Sequence, residues 1–305
     1  MIDYFNLISN DKNSQILYGV GSGVWQTWTK PNNCKFVHMY VMGGGAGGSS
    51  GYTDVTFSSN RLGGGGGGSS AITKAFFPGN LIPETLYFLV GMGGIGQTSS
   101  SSGTSGEITF ISTQPSTAFT ANILLRSGNV APTCSNTQAA GVGGTVFTST
   151  NGLLSTFGVI QTLAGINAAA GGTNASPIGG SNGQYFITGG AGGGAVRSVG
   201  NSSNGGGGVT GAGYIPTIAG GTIVGDPNGL SKPLTHFPSD GYGMKNPMTF
   251  YGGCGGAGLD LTNGGNGGDG TYGCGGGGGG ASTTGNGIGG NGGDGGDGLV
   301  IITCW

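Results

Sequence analysis

The chain has 305 residues, of which 78 are glycine; only 7% are charged, and the net charge is −2. Ordinary soluble domains carry about 7% glycine and about 25% charged residues, so a nucleic-acid backbone would find almost no cations here. Glycine at this level usually accompanies disorder, yet dense apolar runs at 35–42 and 86–90 lie between the glycine tracts and call for an ordered β protein.

Residues 1–20 are more polar, with Asp3, Asp11 and Lys12 beside Tyr4, Phe5 and Leu7, and read as an arm that docks on a partner or neighbouring subunit. Runs rich in β-branched and aromatic residues, bounded by Gly, Asn, Pro or Ser, predict strands at 24–29, 35–42, 70–77, 85–91, 106–112, 122–127, 156–163 and 298–304. Helical apolar periodicity is everywhere interrupted by Gly, so essentially no α-helix is expected. The strands fit an all-β, jelly-roll-like β-sandwich, with 21–305 as a single glycine-rich domain and loop insertions in 112–250. Strand 35–42 is apolar at nearly every position, which suits burial on both faces or at a trimer's centre. Within it His38 reads as a packed core histidine.

Cys34, Cys134, Cys254, Cys274 and Cys304 are odd in number and lack CxxC spacing. They are expected to be free thiols of a protein made in a reducing cytosol. The start, Met1-Ile2-Asp3-Tyr4-Phe5-Asn6, lacks the pattern of a signal peptide, and no apolar stretch is long enough for a membrane span.

The informative feature is period three. Ile288-Gly-Gly-Asn291-Gly-Gly-Asp294-Gly-Gly-Asp297-Gly298 repeats every third residue, as do Asn263-Gly-Gly-Asn266-Gly-Gly-Asp269-Gly270 and Tyr251-Gly-Gly-Cys254-Gly-Gly-Ala257-Gly258. Three residues make one turn of the polyproline II helix, which has no internal hydrogen bonds. With Gly at two positions in three, such rods can pack backbone against backbone, and their amides must then bond sideways to neighbouring rods. The tract 287–298 would reach about 37 Å. Gly292 to Val300 also fits a calcium-binding nonapeptide, but that motif works by tandem stacking and the second near-match is far off in sequence. No cofactor is expected, calcium at Asp294 and Asp297 included. A GxGxxG across Gly91, Gly93 and Gly96 lacks a βαβ unit and an acidic ribose ligand.

Trp25 and Trp28, Pro31, the run Phe36–Met42 entering Gly43 to Gly48, Gly63 to Gly68 before Ala71-Ile72-Thr73-Lys74, Pro78-Gly79 before Tyr87 to Gly94, and the ending Gly295 to Ile302 together resemble the glycine-rich domain of bacteriophage tail and fibre proteins. The resemblance spans roughly 21–305, with 112–250 matching only in scattered Gly tracts. It implies a virion-associated β domain, often trimeric, displayed on a tail, fibre or capsid surface. The tracts are similar in kind to the glycine-rich sandwich of T-even tail-fibre tip adhesins, whose loops between tracts contact the host receptor.

If rods hold loops, contact residues should be the bulky groups between tracts. Segment 49–62 offers Tyr52, Asp54, Phe57 and Arg61; segment 209–218 offers Tyr214 and Ile215; segment 226–251 offers His236, Phe237, Tyr242, Met244, Lys245, Phe250 and Tyr251. Aromatic and cationic groups anchor interfaces, and aromatic faces suit sugar rings. The alternative is that these residues form local cores under long loops. The acidic residues sit mostly at turns or Gly tracts, and no Ser-His-Asp or Cys-His grouping has a supporting motif, so catalysis is not expected. The expectation is a trimeric virion structural protein, a tail fibre, spike or tail component that attaches to a host surface. A capsid decoration protein gripping its neighbours, or a cellular glycine-rich matrix protein, are the alternatives.

Overall fold

In the computed structural model, residues 14–53, 62–98, 101–117, 122–129, 139–146, 159–172, 189–196, 202, 205–206, 220–223, 227–228, 252–260, 262–282 and 288–305 are described. The strands are β1 (Ser14–Tyr18), β2 (Trp25–Thr29), β3 (Phe36–Met42), β4 (Ile72–Pro78), β5 (Thr85–Leu89), β6 (Phe110–Ser112), β7 (Ile123–Arg126), β8 (Val159–Leu163) and β9 (Leu299–Cys304). They pair antiparallel in two sheets, ordered β1-β9-β3-β4-β8 and β2-β5-β6-β7. The helical content of the described residues is one 3-10 turn at Gly79–Leu81.

Alternation along each strand decides which side chains fill the space between the sheets. Val37, Met39 and Val41 of β3, Ala75 and Phe77 of β4, and Val300 and Ile302 of β9 join Trp28, Leu86, Phe88, Ile111 and Leu125 of the second sheet in one buried cluster. The other face of the first sheet buries Tyr40, Met42, Ile72 and Leu299 against Cys274. From Met39 to Met42, β3 is thus covered on both faces, the second by the chain's own 271–274 segment. His38 is half-buried there, and burial, then the Lys74 ammonium, push its pKa down. Lys74 lies 5.6 Å above the Tyr40 ring. Burial, then Cys274, push the Tyr40 hydroxyl's pKa up.

Beyond the strand ends the chain continues as glycine rods that keep the sheet's neighbour order. β3 runs into rod 43–52, while β4 and β9 emerge from rods 62–70 and 288–298. From rod 43–52, the N–H groups of Ala46, Ser49 and Tyr52 donate to Gly68, Gly65 and Leu62. Those of Gly45, Gly48 and Gly51 donate to Gly296, Gly293 and Gly290, and those of Gly44, Gly47 and Ser50 to Glu107, Thr104 and Ser101. Every third residue turns to the same neighbour, which is the turn of the polyproline II helix, and the bonds run sideways as period three requires.

Rod 274–282 has no strand attached and is the most enclosed. Its N–H groups donate to rod 43–52 (Gly276, Gly279), rod 263–270 (Gly277, Gly280) and rod 189–195 (Gly278, Ala281). Its carbonyls accept from rod 288–298 (Cys274, Gly277, Gly280), rod 252–258 (Gly275, Gly278) and Leu259 just beyond it (Ala281), and rod 62–70 (Gly276, Gly279). All its edges face other rods, which explains the unbroken run Gly275–Gly280. A Cβ on Gly275, Gly277 or Gly280 would meet a backbone oxygen of Gly67, Cys254 or Ala257 at 1.7, 2.0 or 1.9 Å. Outer rods relax this demand, so Asn263, Asn266, Asn291 and Asp294 occupy exposed third positions.

Two features depart from the sequence expectations. Residues 14–18 form an edge strand, registered from Ser14↔Thr303 to Tyr18↔Leu299, with Leu17 in the core; the short Gln-Ile-Leu-Tyr alternation was its signal. Cys34 and Cys304 form a disulfide, which corrects the free-thiol reading for that pair. β3–β9 pairing brings their Cα atoms to 5.7 Å across a sequence separation of 270, a proximity that spacing could not reveal. Cys254 and Cys274 are buried thiols outside this disulfide.

Candidate functional site

The rods end together at the pole opposite the sheets. Rods 43–52, 252–258 and 274–282 run towards this pole, and rods 62–70, 263–270 and 288–298 return from it. Their ends are tied to one another. Thr53 and Leu259 both bridge to Ser282, the N–H of Ser282 donates to Tyr52 O, and that of Tyr52 to Leu62 O. Side chains complete the lacing: Gly289 N–H donates to Thr53 Oγ1 at 2.8 Å, Ser282 Oγ to Thr262 O at 2.6 Å, and Asp260 N–H to Ser202 Oγ at 3.0 Å.

These contacts have a local cause. Where a rod terminates, its last amides lose the neighbours that satisfy them, and hydroxyl or carboxamide side chains take over as acceptors. The resulting platform is laced by hydrogen bonds and, among its described residues, carries Asp260 as its one charged side chain. It presents the Tyr52 ring, 43% exposed, and Ile288, 54% exposed, with Thr262 and Asn263 exposed beside them. The chain leaves the platform at Thr53, Val196, Asp260 and Ser282 and re-enters the described structure at Leu62, Thr262 and Ile288.

Along the flank of the bundle, side-chain oxygens replace absent rods. Asn266 N–H donates to Asn228 Oδ1; Ile288, Asn291 and Asp294 N–H donate to Asn263, Asn266 and Asp269; Gly96 and Gly93 N–H donate to Asp294 and Asp297. The two Asx-Gly-Gly tracts, separate in sequence, are therefore adjacent rods. The carboxylates of the calcium-like nonapeptide accept backbone amides at 2.8 Å.

Of the sequence-predicted contact residues, Tyr52 is on the platform. Phe57, Arg61, Tyr214, His236, Phe237, Tyr242, Lys245, Phe250 and Tyr251 lie outside the described residues. The ends of their segments are placed, however. Thr53 and Leu62 flank the first at the platform. Gly206 and Gly221, which flank the second, both bond to Gly255 of rod 252–258. The third departs beside Ala257, whose N–H donates to Pro227 O, and returns at Gly252, next to Gly253, which donates to Gly275 O near the sheets. The third segment thus departs near the platform end of rod 252–258 and returns near the sheets. Sequence reasoning missed Thr53, Ser202, Asp260, Thr262 and Ser282; the only signal for them was that each period-three tract must end somewhere.

A second exposed feature lies at the sheet pole. Phe36 stacks on Phe76 at 5.3 Å, and Phe76 meets the Trp305 ring at 5.8 Å. Trp305 is 51% exposed and closes the sheet by exchanging backbone hydrogen bonds with Phe36.

A family model described as a glycine-rich domain matches residues 20–305. No curated protein matches the chain.

Proposed function

The chain belongs to the glycine-rich domain family, and we propose that it is a virion structural protein, a tail-fibre, spike or tail component that displays loops for attachment to a host-surface glycan or protein. The observation that carries this reading is the convergence of rod ends on one laced platform, with Tyr52 exposed at its edge. A lattice that fixes loop ends removes much of the ordering entropy that flexible loops lose on binding. A platform rich in hydroxyl, amide and phenol groups also suits neutral, polyhydroxylated surfaces. In this reading the protein is not a catalyst. It assembles as a homotrimer, and residues 1–13 reach other virion proteins.

The test is loop replacement. Particles carrying a short linker in place of 54–61, or of 229–251, are expected to assemble normally and to lose host adsorption. Failed assembly with either linker would favour the decoration-protein reading instead. Light scattering of the purified protein checks the trimer; a monomer at high concentration contradicts it.

A further inference from the structure

Asn-Gly and Asp-Gly are the dipeptides most prone to succinimide chemistry, because no side chain on glycine hinders its nitrogen. That nitrogen attacks the preceding side-chain carbonyl carbon, a C–N bond forms, and ammonia leaves from Asn or water from Asp. Water then opens the ring to aspartate or isoaspartate. Two of the three period-three tracts, 263–270 and 288–298, carry these dipeptides repeatedly.

In rod 263–270 the two reacting ends are held by a single residue of the next rod. Asn263 Oδ1 accepts the Ile288 N–H at 3.0 Å while Gly264 N–H donates to Ile288 O at 3.0 Å. Asn266 Oδ1 accepts the Asn291 N–H at 2.9 Å while Gly267 N–H donates to Asn291 O at 2.8 Å. Asp269 and Gly270 grip Asp294 in the same way at 2.9 and 2.8 Å. Cyclisation must break both bonds and rotate the glycine peptide. There is no room to do so, since the Cβ positions of Gly264 and Gly267 abut the backbone oxygens of Gly280 and Gly277.

We infer that rods 263–270 and 288–298 form a chemical clamp that shields Asn263, Asn266 and Asp269 from succinimide formation, so that these sites are modified only when the lattice opens. Opening followed by modification is one-way. Isoaspartate inserts a methylene into the backbone and destroys the matched three-residue spacing of the two rods. Plain aspartate keeps the acceptor oxygen, as Asp269 does in the third clamp.

The experiment incubates the intact protein at neutral pH beside the same protein unfolded in guanidinium, and follows Asn263 and Asn266 by peptide mass mapping. Both sites are expected to deamidate at least about 100-fold more slowly in the folded protein, the ratio being set by the opening equilibrium. Comparable rates in the two samples overturn the inference. Ile288→Pro then tests the clamp itself, because proline suits the rod but lacks the N–H that holds Asn263. Faster deamidation at Asn263 than in the native protein, with Asn266 unchanged, supports the clamp. An unchanged rate at Asn263 overturns it.

Discussion

Gly277→Ala places one methyl group at the most enclosed point of the lattice. Its Cβ would lie 2.0 Å from Cys254 O and 2.6 Å from the carbonyl carbon, where ordinary contact begins at 3.4 Å. Both partners are backbone, so no side chain can swing aside; rods 274–282 and 252–258 must part by about 1.4 Å. That stretches the bonds from Gly253 to Gly275 and from Gly256 to Gly278, now 2.9 and 3.0 Å, beyond hydrogen-bonding range. Overpacking costs about 1–3 kcal/mol and each of the two buried amides left unpaired about 1–3 kcal/mol, so the expected loss is roughly 3–9 kcal/mol. Domain stability is about 5–15 kcal/mol, which leaves the variant near its folding threshold. Urea unfolding followed by the fluorescence of buried Trp28 measures the difference. A loss below about 1 kcal/mol would refute the claim that the rods are in backbone contact.

The remaining predictions follow from the same geometry. Asn266→Ala leaves the Asn291 N–H to water at an exposed rod, so it should cost only about 0.5–1.5 kcal/mol in the same urea assay. Replacing Gly292, Gly293, Gly295 and Gly296 together with Ala sets methyl groups 2.0, 2.0, 2.2 and 1.7 Å from backbone oxygens; no folded monomer or oligomer should elute on gel filtration. Cys34→Ser opens the Cys34–Cys304 link, and thermal melts should show a loss of about 2–4 kcal/mol. For His38 the folded pKa lies below 6.5, so in the window just under 6.5 the unfolded chain binds more protons and stability falls as the pH drops. His38→Gln should flatten that part of the stability–pH curve; an unaltered slope would show that other groups set it.

Much of the fold is legible in the sequence. Strands β2 to β9 lie where β-branched and aromatic runs meet turn residues, and the side-by-side bonding of rods follows from the absence of internal hydrogen bonds in a three-residue helix. What could not be read is which rod neighbours which. Gly275–Gly280 carries no side chain to mark its partners, so the enclosed place of rod 274–282 is a matter of topology. The Cys34–Cys304 disulfide was hidden for the same reason: it depends on the β3–β9 register. The candidate site was legible only in part. Tyr52 stands out as an aromatic residue at a tract's end, whereas Thr53, Asp260 and Ser282 act through backbone bridges and single hydroxyl–backbone bonds made where rods stop, which leave no motif.

The central claim, that the glycines form a hydrogen-bonded scaffold as firm as the sandwich, is tested most directly by native-state amide hydrogen exchange. The amides of Gly276 to Ala281 all donate to neighbouring rods, so they should exchange as slowly as those of Val41 in β3 and Ile302 in β9, by opening of the whole unit. Exchange at the rate of unstructured glycine, with the strands still protected, would contradict it.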